Sequence, residues 1–329
     1  MASKVISNQN FSGLIALPYE LKEVTFSNCI FSNVKKMFRY TNLEKIKFEK
    51  CKVLDSSTSN MFKSEKNTIK ELDLSGLDVS NVTDMSSMFE KCDIKKMNLS
   101  NFNTSNVTNM KRMFYNCQSV EELDLSSFDT SKVKSMKSMF EWCRNVKKMN
   151  LSNLNTSNVT DMRHMFYVCD HIEELDVNDW NVSNVITTNN MFYDCDSLRK
   201  IKTSNWKFDN LIDAEGMFTF CKKLEDIDVS NFDMQNLVKS KGMFSYCESL
   251  KYLDLSKWNP MKLEEEISMF DDCRNLETIK LFPISDPSII GRLTFLGCEK
   301  LDLTEIQEQY PDKEFKMELS DSNEDGWWW

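Results

Sequence analysis

Hydrophobic residues recur along this chain with a period of 26 residues. A phenylalanine, usually preceded by Met, marks the period, and from Phe114 to Phe270 every step to the next such phenylalanine is 26 residues. A cysteine follows three residues later in nine consecutive cases: Cys92, Cys117, Cys143, Cys169, Cys195, Cys221, Cys247, Cys273 and Cys298. A fixed period of this length predicts a repeat protein.

Residues 117–142 contain one repeat unit. The segment VEELDLS alternates apolar and polar residues around Leu123 and Leu125, which predicts a short strand. A polar turn follows, and the apolar residues beyond it lie at steps of three, three, one and three. This spacing predicts the buried stripe of a short amphipathic helix, formed by Val133, Met136, Met139, Phe140 and Cys143. Each unit is therefore expected to be a strand, a turn and a short helix.

Such a unit is too small to bury its own apolar face, so neighbouring units must stack. Stacking in register predicts an α/β repeat fold: a leucine-rich-repeat-like solenoid with one parallel β-sheet and short helices on the opposite face. We expect residues 1–20 to form an N-terminal cap and residues 21–300 to form about eleven repeats of ~26 residues. Residues 301–329 are expected to form a C-terminal cap and an acidic tail that ends in Trp.

The pattern LDLSxFDTSxVxxMxxMFxxC, read over residues 20–300, resembles the 26-residue repeat of mycoplasma-type and related bacterial surface proteins. These are grouped with the treponemal surface-protein class of leucine-rich repeats. The resemblance implies a leucine-rich-repeat-like solenoid that works in adhesion or partner binding, and it brings no catalytic residues. A standard leucine-rich repeat has Asn after the strand. Apolar residues such as Phe128 and Trp206 hold that place here, so we expect apolar packing instead of an Asn ladder to hold the turn.

The charge and the cysteines narrow the class of protein further. A net charge of −10 argues against a nucleic-acid partner, because phosphate binding needs clustered Lys and Arg. No apolar run is long enough for a signal peptide or a membrane span. The cysteine spacing does not match a zinc pattern, so we expect buried, reduced thiols and no metal or cofactor. Reduced cysteines favour a cytoplasmic or virus-assembly setting, whereas the resemblance suggests a cell surface; localisation and oligomeric state stay open.

An enzyme is not expected. The chain has two histidines, His164 and His171, and neither lies in a catalytic motif. A pocket that placed either histidine beside a carboxylate, away from the repeating positions, would revive an enzyme hypothesis.

The residue before the first strand leucine points outward, onto what we expect to be a concave sheet surface. Along the stack its charge alternates for nine repeats and then stops at Tyr252. One interpretation is an ion-pair ladder that fixes strand order, and a compatible one is a surface that binds a protein partner, with aromatic anchors near Tyr246, Tyr252 and Trp258. The candidate partner-binding residues are Glu122, Lys148, Glu174, Lys200, Tyr252 and Trp258, together with the tail residues Trp327, Trp328 and Trp329.

The tail MELSDSNEDGWWW allows three interpretations. It docks into a partner's pocket, it folds back on the end of the solenoid, or it was added by cloning. If it docks, the chain could alternatively be a structural component of a larger surface or virion assembly.

Overall fold

The computed structural model describes residues 2–63, 68–263, 268–284, 293–313, 315 and 317. The chain winds into a solenoid whose successive turns, here called coils, pair through parallel strands. The strands are β1 (Ala2–Ser7), β2 (Asn10–Ser12), β3 (Leu21–Ser27), β4 (Ile30–Ser32), β5 (Lys45–Glu49), β6 (Cys51–Val53), β7 (Glu71–Asp73), β8 (Leu77–Asp78), β9 (Lys96–Asn98), β10 (Glu122–Asp124), β11 (Lys148–Asn150), β12 (Glu174–Asp176), β13 (Lys200–Lys202), β14 (Tyr252–Asp254) and β15 (Thr278–Lys280).

The main ladder joins β1, β3, β5, β7 and β9 in that order, and it continues along the chain as the pairs β10–β11, β12–β13 and β14–β15. The pairings are parallel and, apart from a shift between Ala2 and Ser3 in β1, in register with the repeat; Leu123, for example, lies opposite Met149. The predicted parallel β-solenoid is therefore confirmed. The expectation of one sheet was too simple, because β2, β4, β6 and β8 form a second parallel sheet in the first coils.

A third line of contact joins the coils at an isolated bridge position. In each coil the bridging residue comes just before the buried turns that carry Met and Phe. The parallel bridges run from Ser57 and Asp84 through successive coils to Lys239. Neighbouring coils are thus tied together at several places around their circumference, and not at the strands alone.

The predicted helices are wrong. In the segment 85–92 the amides of Ser87, Phe89 and Lys91 donate hydrogen bonds to carbonyls of the next coil, at 2.9, 2.9 and 2.7 Å. The amides between them close short turns within the same coil, for example from Cys92 to the Phe89 carbonyl at 3.0 Å. Ser87 and Lys91 have φ values of 54° and 60°, which a right-handed helix does not allow.

The physical reason is competition for backbone amides. An α-helix would use these amides within its own coil, but here every second amide binds the neighbouring coil. Linked turns with the same apolar spacing replace the helix. Within the described residues the one α-helix is α1 (Thr304–Gln309), which follows the last repeat.

The recurring phenylalanines form a continuous aromatic column inside the solenoid. From Phe38 to Phe295 their ring centroids are 5.1–6.1 Å apart, and the neighbouring planes are nearly parallel. A second column forms where a standard leucine-rich repeat has Asn, and there Trp180, Trp206, Phe232 and Trp258 stack at 6.0–6.3 Å. These large buried rings supply much of the apolar area that stabilises the fold.

Apolar stacking occupies the turn after the strand, and an Asn ladder occurs at a different turn of the coil. Asparagine side chains later in the coil donate to a carbonyl of the preceding coil: Asn106 to Ser80, Asn158 to Ser131, Asn184 to Ser157, Asn210 to Ser183 and Asn236 to Asp209, at 2.7–3.0 Å. Apolar stacking and an Asn ladder therefore hold different turns of the same coil.

The cysteine column is buried, as predicted, and all eleven thiols are free. In each regular coil the thiol donates to the carbonyl of the phenylalanine one coil earlier, at 3.0–3.3 Å. Burial raises the pKa of the Cys143 thiol to about 12. These thiols therefore fill space and satisfy backbone carbonyls, and they are poor nucleophiles.

The two ends of the stack differ from its middle. The predicted cap at residues 1–20 contains a coil of the stack itself, because β1 pairs with β3. Lys4 pairs with the buried Val24, so it holds the strand position that faces the core in the next coil. Its side chain is nevertheless exposed, because β1 is the edge strand. Such a charge discourages pairing with another chain. At the other end, Phe315 packs edge-on against Phe295, with ring centroids 6.0 Å apart.

Candidate functional site

The outward side chains of the main strand ladder form one continuous polar surface, here called the strand face. Its central column precedes the inward residue of each strand and reads Glu23, Lys45, Glu71, Lys96, Glu122, Lys148, Glu174, Lys200, Asp226, Tyr252 and Thr278. Strand pairing places Glu122 opposite Lys148, Glu174 opposite Lys200, and Lys200 opposite Asp226. Four predicted partner-binding residues, Glu122, Lys148, Glu174 and Lys200, therefore lie together and are exposed.

Opposite charges on neighbouring strands form ion pairs along this column. Lys45 lies 3.0 Å from Glu71, Lys96 lies 3.7 Å from Glu71, and Lys148 lies 3.5 Å from Glu122. The hydrogen bond from Lys45 lowers the pKa of Glu71. Because the side chains at 122 and 148 are 73% and 79% exposed, such pairs add at most ~1 kcal/mol each to stability.

The column one residue earlier carries further ion pairs. Lys22 lies 3.1 Å from Glu44, Lys147 lies 3.1 Å from Glu121, and Arg199 lies 2.9 Å from Glu225. From the coil of Lys95 and Lys96 onward, the two columns carry charges of the same sign within each coil, and the sign reverses in the next coil through Asp226. The middle of the strand face is therefore banded, with doubly positive and doubly negative coils in alternation.

Six strands of the main ladder, β7, β9, β10, β11, β12 and β14, end at an acidic or amide side chain that accepts a hydrogen bond from an amide two residues later. Asp124 accepts from Ser126 at 3.0 Å, and Asp254 accepts from Ser256 at 2.9 Å. Hydrogen bonds from the amide and hydroxyl of Ser126 lower the pKa of Asp124, and those from the hydroxyl and amide of Ser256 lower the pKa of Asp254. The carboxylates therefore terminate strands, and no cluster of three or more metal-ligating side chains occurs within the described residues.

At the C-terminal end of the strand face, Tyr252 is exposed, whereas Trp258 is buried and is not available as an aromatic anchor. Tyr252 is 44% exposed, its hydroxyl donates to Asp254 at 3.0 Å, and Lys280 lies 5.8 Å from its ring centroid. Trp258 is 1% exposed, and its indole N–H donates to the Val229 carbonyl at 3.0 Å. Trp258 belongs to the inner aromatic column and cannot contact a partner. The tail residues Trp327, Trp328 and Trp329 lie outside the described residues.

Sequence reasoning missed a second aromatic feature on the side of the coil formed by the Met-Phe turns. Trp142, Tyr167, Tyr193, Phe220 and Tyr246, here called the turn-face ladder, are half-buried and contact each other in order. Successive ring centroids are 6.1, 4.9, 5.4 and 4.4 Å apart. These residues come one or two positions after the buried phenylalanine of each coil. Because the aromatic residue occupies either of two positions in the unit, a search at one fixed spacing does not find the ladder. Tyr246 belongs to this ladder and not to the strand face.

Both histidines also lie beside the turns. His164 stacks on Tyr167 at 5.1 Å and lies 3.7 Å from Glu141, while burial lowers its pKa. His171 contacts the Arg144 carbonyl through Nδ1 at 2.8 Å. Two surface cavities of about 420 and 310 Å³ share Asn205 and Lys207, and neither histidine lines them. His164 thus lies beside the carboxylate of Glu141, but neither of these two cavities contains it.

No helix in the described part of the chain has the length and apolar character needed to span a bilayer.

The strand ladder, the inner columns and the polar strand face together define a solenoid repeat protein with parallel strands. The chain belongs to the family described as "Mycoplasma protein of unknown function, DUF285", which matches residues 56–174, 119–226 and 202–286. No curated protein matches the chain in sequence.

Two solved structures are similar over most of their length. A leucine-rich repeat protein from Bacteroides ovatus is 14% identical, with a TM-score of 0.39 over 92% of this chain and 84% of that one. A leucine-rich cell surface protein from Faecalibacterium prausnitzii is 14% identical, with a TM-score of 0.30 over 89% of this chain and 82% of that one.

Proposed function

We infer that this chain is a non-catalytic interaction module that binds a protein partner through its strand face. The banded charge pattern carries the proposal. Glu122, Lys148, Glu174 and Lys200 are exposed, adjacent and alternating in sign, and hydrogen-bonded coils hold the backbone beneath them. A partner with the complementary sequence of charges would meet these four side chains at fixed spacing. Such complementarity contributes more to specificity than to affinity.

The C-terminal end of the strand face supports a more precise expectation. The charge alternation stops at Tyr252, which is the exposed aromatic side chain of the central column. Aromatic side chains contribute strongly at protein interfaces because they bury a large area at little cost in conformational entropy. We therefore expect the partner to place an apolar group over Tyr252 while its charged groups face Lys200 and Glu174.

The test removes charge without adding repulsion. The quadruple variant E122Q/K148Q/E174Q/K200Q should fold with little loss of stability, because exposed ion pairs contribute about 0–1 kcal/mol each. It should no longer capture the protein that the wild-type chain captures from an extract of the source cells. A photo-crosslinking amino acid at position 252 should attach to that same protein.

The matched control neutralises two ion pairs away from the strand face. Lys52 and Asp78 lie 3.4 Å apart in the second sheet, and Lys207 and Asp209 lie 3.5 Å apart beyond a strand end. The variant K52Q/D78N/K207Q/D209N should retain the partner. If the strand-face variant keeps the partner, or if both variants lose it equally, the strand face is not the binding surface.

A further inference from the structure

The turn-face ladder is a surface that the strand-face proposal does not use. Its members span five coils, from Trp142 to Tyr246, and their rings are half-buried between one another. Tyr167 and Tyr193 stack at 4.9 Å with planes 8° apart, and Phe220 and Tyr246 stack at 4.4 Å. These two pairs cover each other's ring faces, whereas Tyr193 and Phe220 meet edge-on with planes 77° apart. Because the rings are half-buried, the ladder offers solvent a strip of ring edges and hydroxyl groups.

The chain's own arginines show what this surface attracts. Arg112 lies with its guanidinium carbon 3.7 Å from the Tyr115 ring centroid, one coil before the ladder begins. Arg144 lies 4.6 Å from the Trp142 centroid. Both contacts are within the range of a favourable cation–π interaction. Among the described residues, no comparable cation covers the rings of Tyr167, Tyr193, Phe220 or Tyr246.

Carboxylates beside the ladder outnumber the cations that face them. Asp170 lies 3.4 Å from Arg144, and Asp196 lies 3.0 Å from Lys222. Asp194 forms no ion pair within the described part of the chain. Burial raises the pKa of Asp194, and the negative charge of Asp196 raises it further. The same two causes, burial first and neighbouring carboxylates after it, raise the pKa of Asp170.

One Asp170 oxygen is also left without a partner. Its Oδ1 atom is buried and has no hydrogen-bond donor among the described residues. A carboxylate oxygen without a donor is costly, and the Asp170 side chain is 24% exposed, so a turn of the carboxylate toward a donor from outside the chain would be stabilised. Guanidinium and ammonium groups supply such donors together with a positive charge.

We propose that the turn-face ladder and the carboxylates of Asp170, Asp194 and Asp196 form a docking surface for a basic, arginine-containing segment of a protein partner. The aliphatic stem of each arginine packs along the ring edges, and its guanidinium binds the carboxylates. The surface is separate from the strand face, so the chain could hold two partners, or two parts of one partner, at the same time.

The experiment uses the whole chain and synthetic peptides. The probe is a fluorescently labelled peptide with four arginines separated by glycines, and its binding is followed by fluorescence anisotropy. A peptide with citrulline in place of arginine keeps the shape and hydrogen-bonding groups but lacks the charge. The arginine peptide should bind at low ionic strength, and the citrulline peptide should bind at least about tenfold more weakly.

The variant D170N/D194N/D196N should weaken binding of the arginine peptide by about tenfold or more, since it removes three carboxylates from the docking surface. The matched control D78N/D129N/D209N removes three exposed carboxylates that lie on neither the strand face nor the turn-face ladder, and it should change binding by less than about twofold. The single variant Tyr193→Leu keeps the charges and an apolar side chain at this half-buried position. It should weaken binding, because the peptide loses its contact with the Tyr193 ring.

Three outcomes would overturn the proposal. Equal loss of binding in the two triple variants would mean that net charge alone attracts the peptide. Equal binding of the citrulline peptide would mean that charge is not recognised. Unchanged binding by Tyr193→Leu, with an unchanged melting temperature, would remove the aromatic ladder from the site. None of these outcomes bears on the strand face, which is tested with different variants.

Discussion

The strongest test of the stacked columns is removal of one ring from the middle of the solenoid. Phe166 is fully buried, and its ring centroid lies 5.3 Å from Phe140 and 5.2 Å from Phe192. Trp180, in the second column, lies 6.3 Å away. The substitution Phe166→Ala therefore opens a cavity lined by aromatic rings from the two neighbouring coils.

The expected loss of unfolding free energy is about 3–5 kcal/mol, the usual range for a buried Phe→Ala change. The upper part of this range applies, because backbone hydrogen bonds keep the neighbouring coils from closing the cavity. Each stacked pair also contributes ~0.5–1.5 kcal/mol beyond its buried area. Since a domain of this kind is stable by about 5–15 kcal/mol, this single change should remove a large fraction of the total.

The measurement is equilibrium unfolding in urea, followed by near-ultraviolet circular dichroism. The control is Phe11→Ala in the first coil, where a partly buried ring stacks on Phe31 at 5.5 Å and meets Phe26 edge-on at 5.4 Å. This control should lose only about 1–2 kcal/mol. If Phe166→Ala costs within 1 kcal/mol of Phe11→Ala at the same urea dependence, the column does not stabilise the fold as argued.

Three other predictions follow from buried polar groups. All eleven cysteines should resist a thiol reagent at pH 8 until the protein unfolds, because all are buried and burial raises the pKa of thiols such as Cys143; labelling before the unfolding transition, detected by mass spectrometry, would contradict this. Trp206→Phe removes a hydrogen bond of 2.7 Å to the Val177 carbonyl and should cost ~1 kcal/mol more than Trp180→Phe, whose indole N–H has no acceptor among the described residues; equal losses in urea unfolding would refute this. The raised pKa of Asp194 means that its ionised form destabilises the fold above that pKa, so Asp194→Asn should raise the melting temperature at pH 7 and give no gain near pH 3, where both states are protonated; a gain of equal size at both pH values would show that charge is not the cause.

The repeat period alone was enough to predict the solenoid and its inner columns. Phe, Met and Cys recur in register, and stacked units are the one arrangement that buries them all. The strand register follows from the same period, which is why Glu122 and Lys148 could be placed side by side before any coordinates were known.

The predicted helices show what the period could not decide. The stripe of Met85, Met88, Phe89 and Cys92 is buried in the structure, as a helix would also require. The same steps fit a series of turns in which residues such as Ser87 and Lys91 adopt positive φ. The choice between the two depends on hydrogen bonds to the next coil, which a local pattern of apolar residues does not record.

The aromatic residues show a similar limit. Trp258 was expected on the surface because aromatic side chains favour interfaces, yet it occupies the same column as the buried Phe232 and Trp206. Position within the repeat was the better guide to burial than residue type. The turn-face ladder was harder to find, because Tyr193 and Phe220 come from two different positions of the unit.

The uniform register between coils also has an evolutionary consequence. Since each coil contacts mainly the coils before and after it, an in-frame duplication or deletion of one whole unit would rejoin matching surfaces. Such recombination would lengthen or shorten the protein without disturbing the geometry of any remaining coil. The number of charged bands on the strand face would then change with gene length alone.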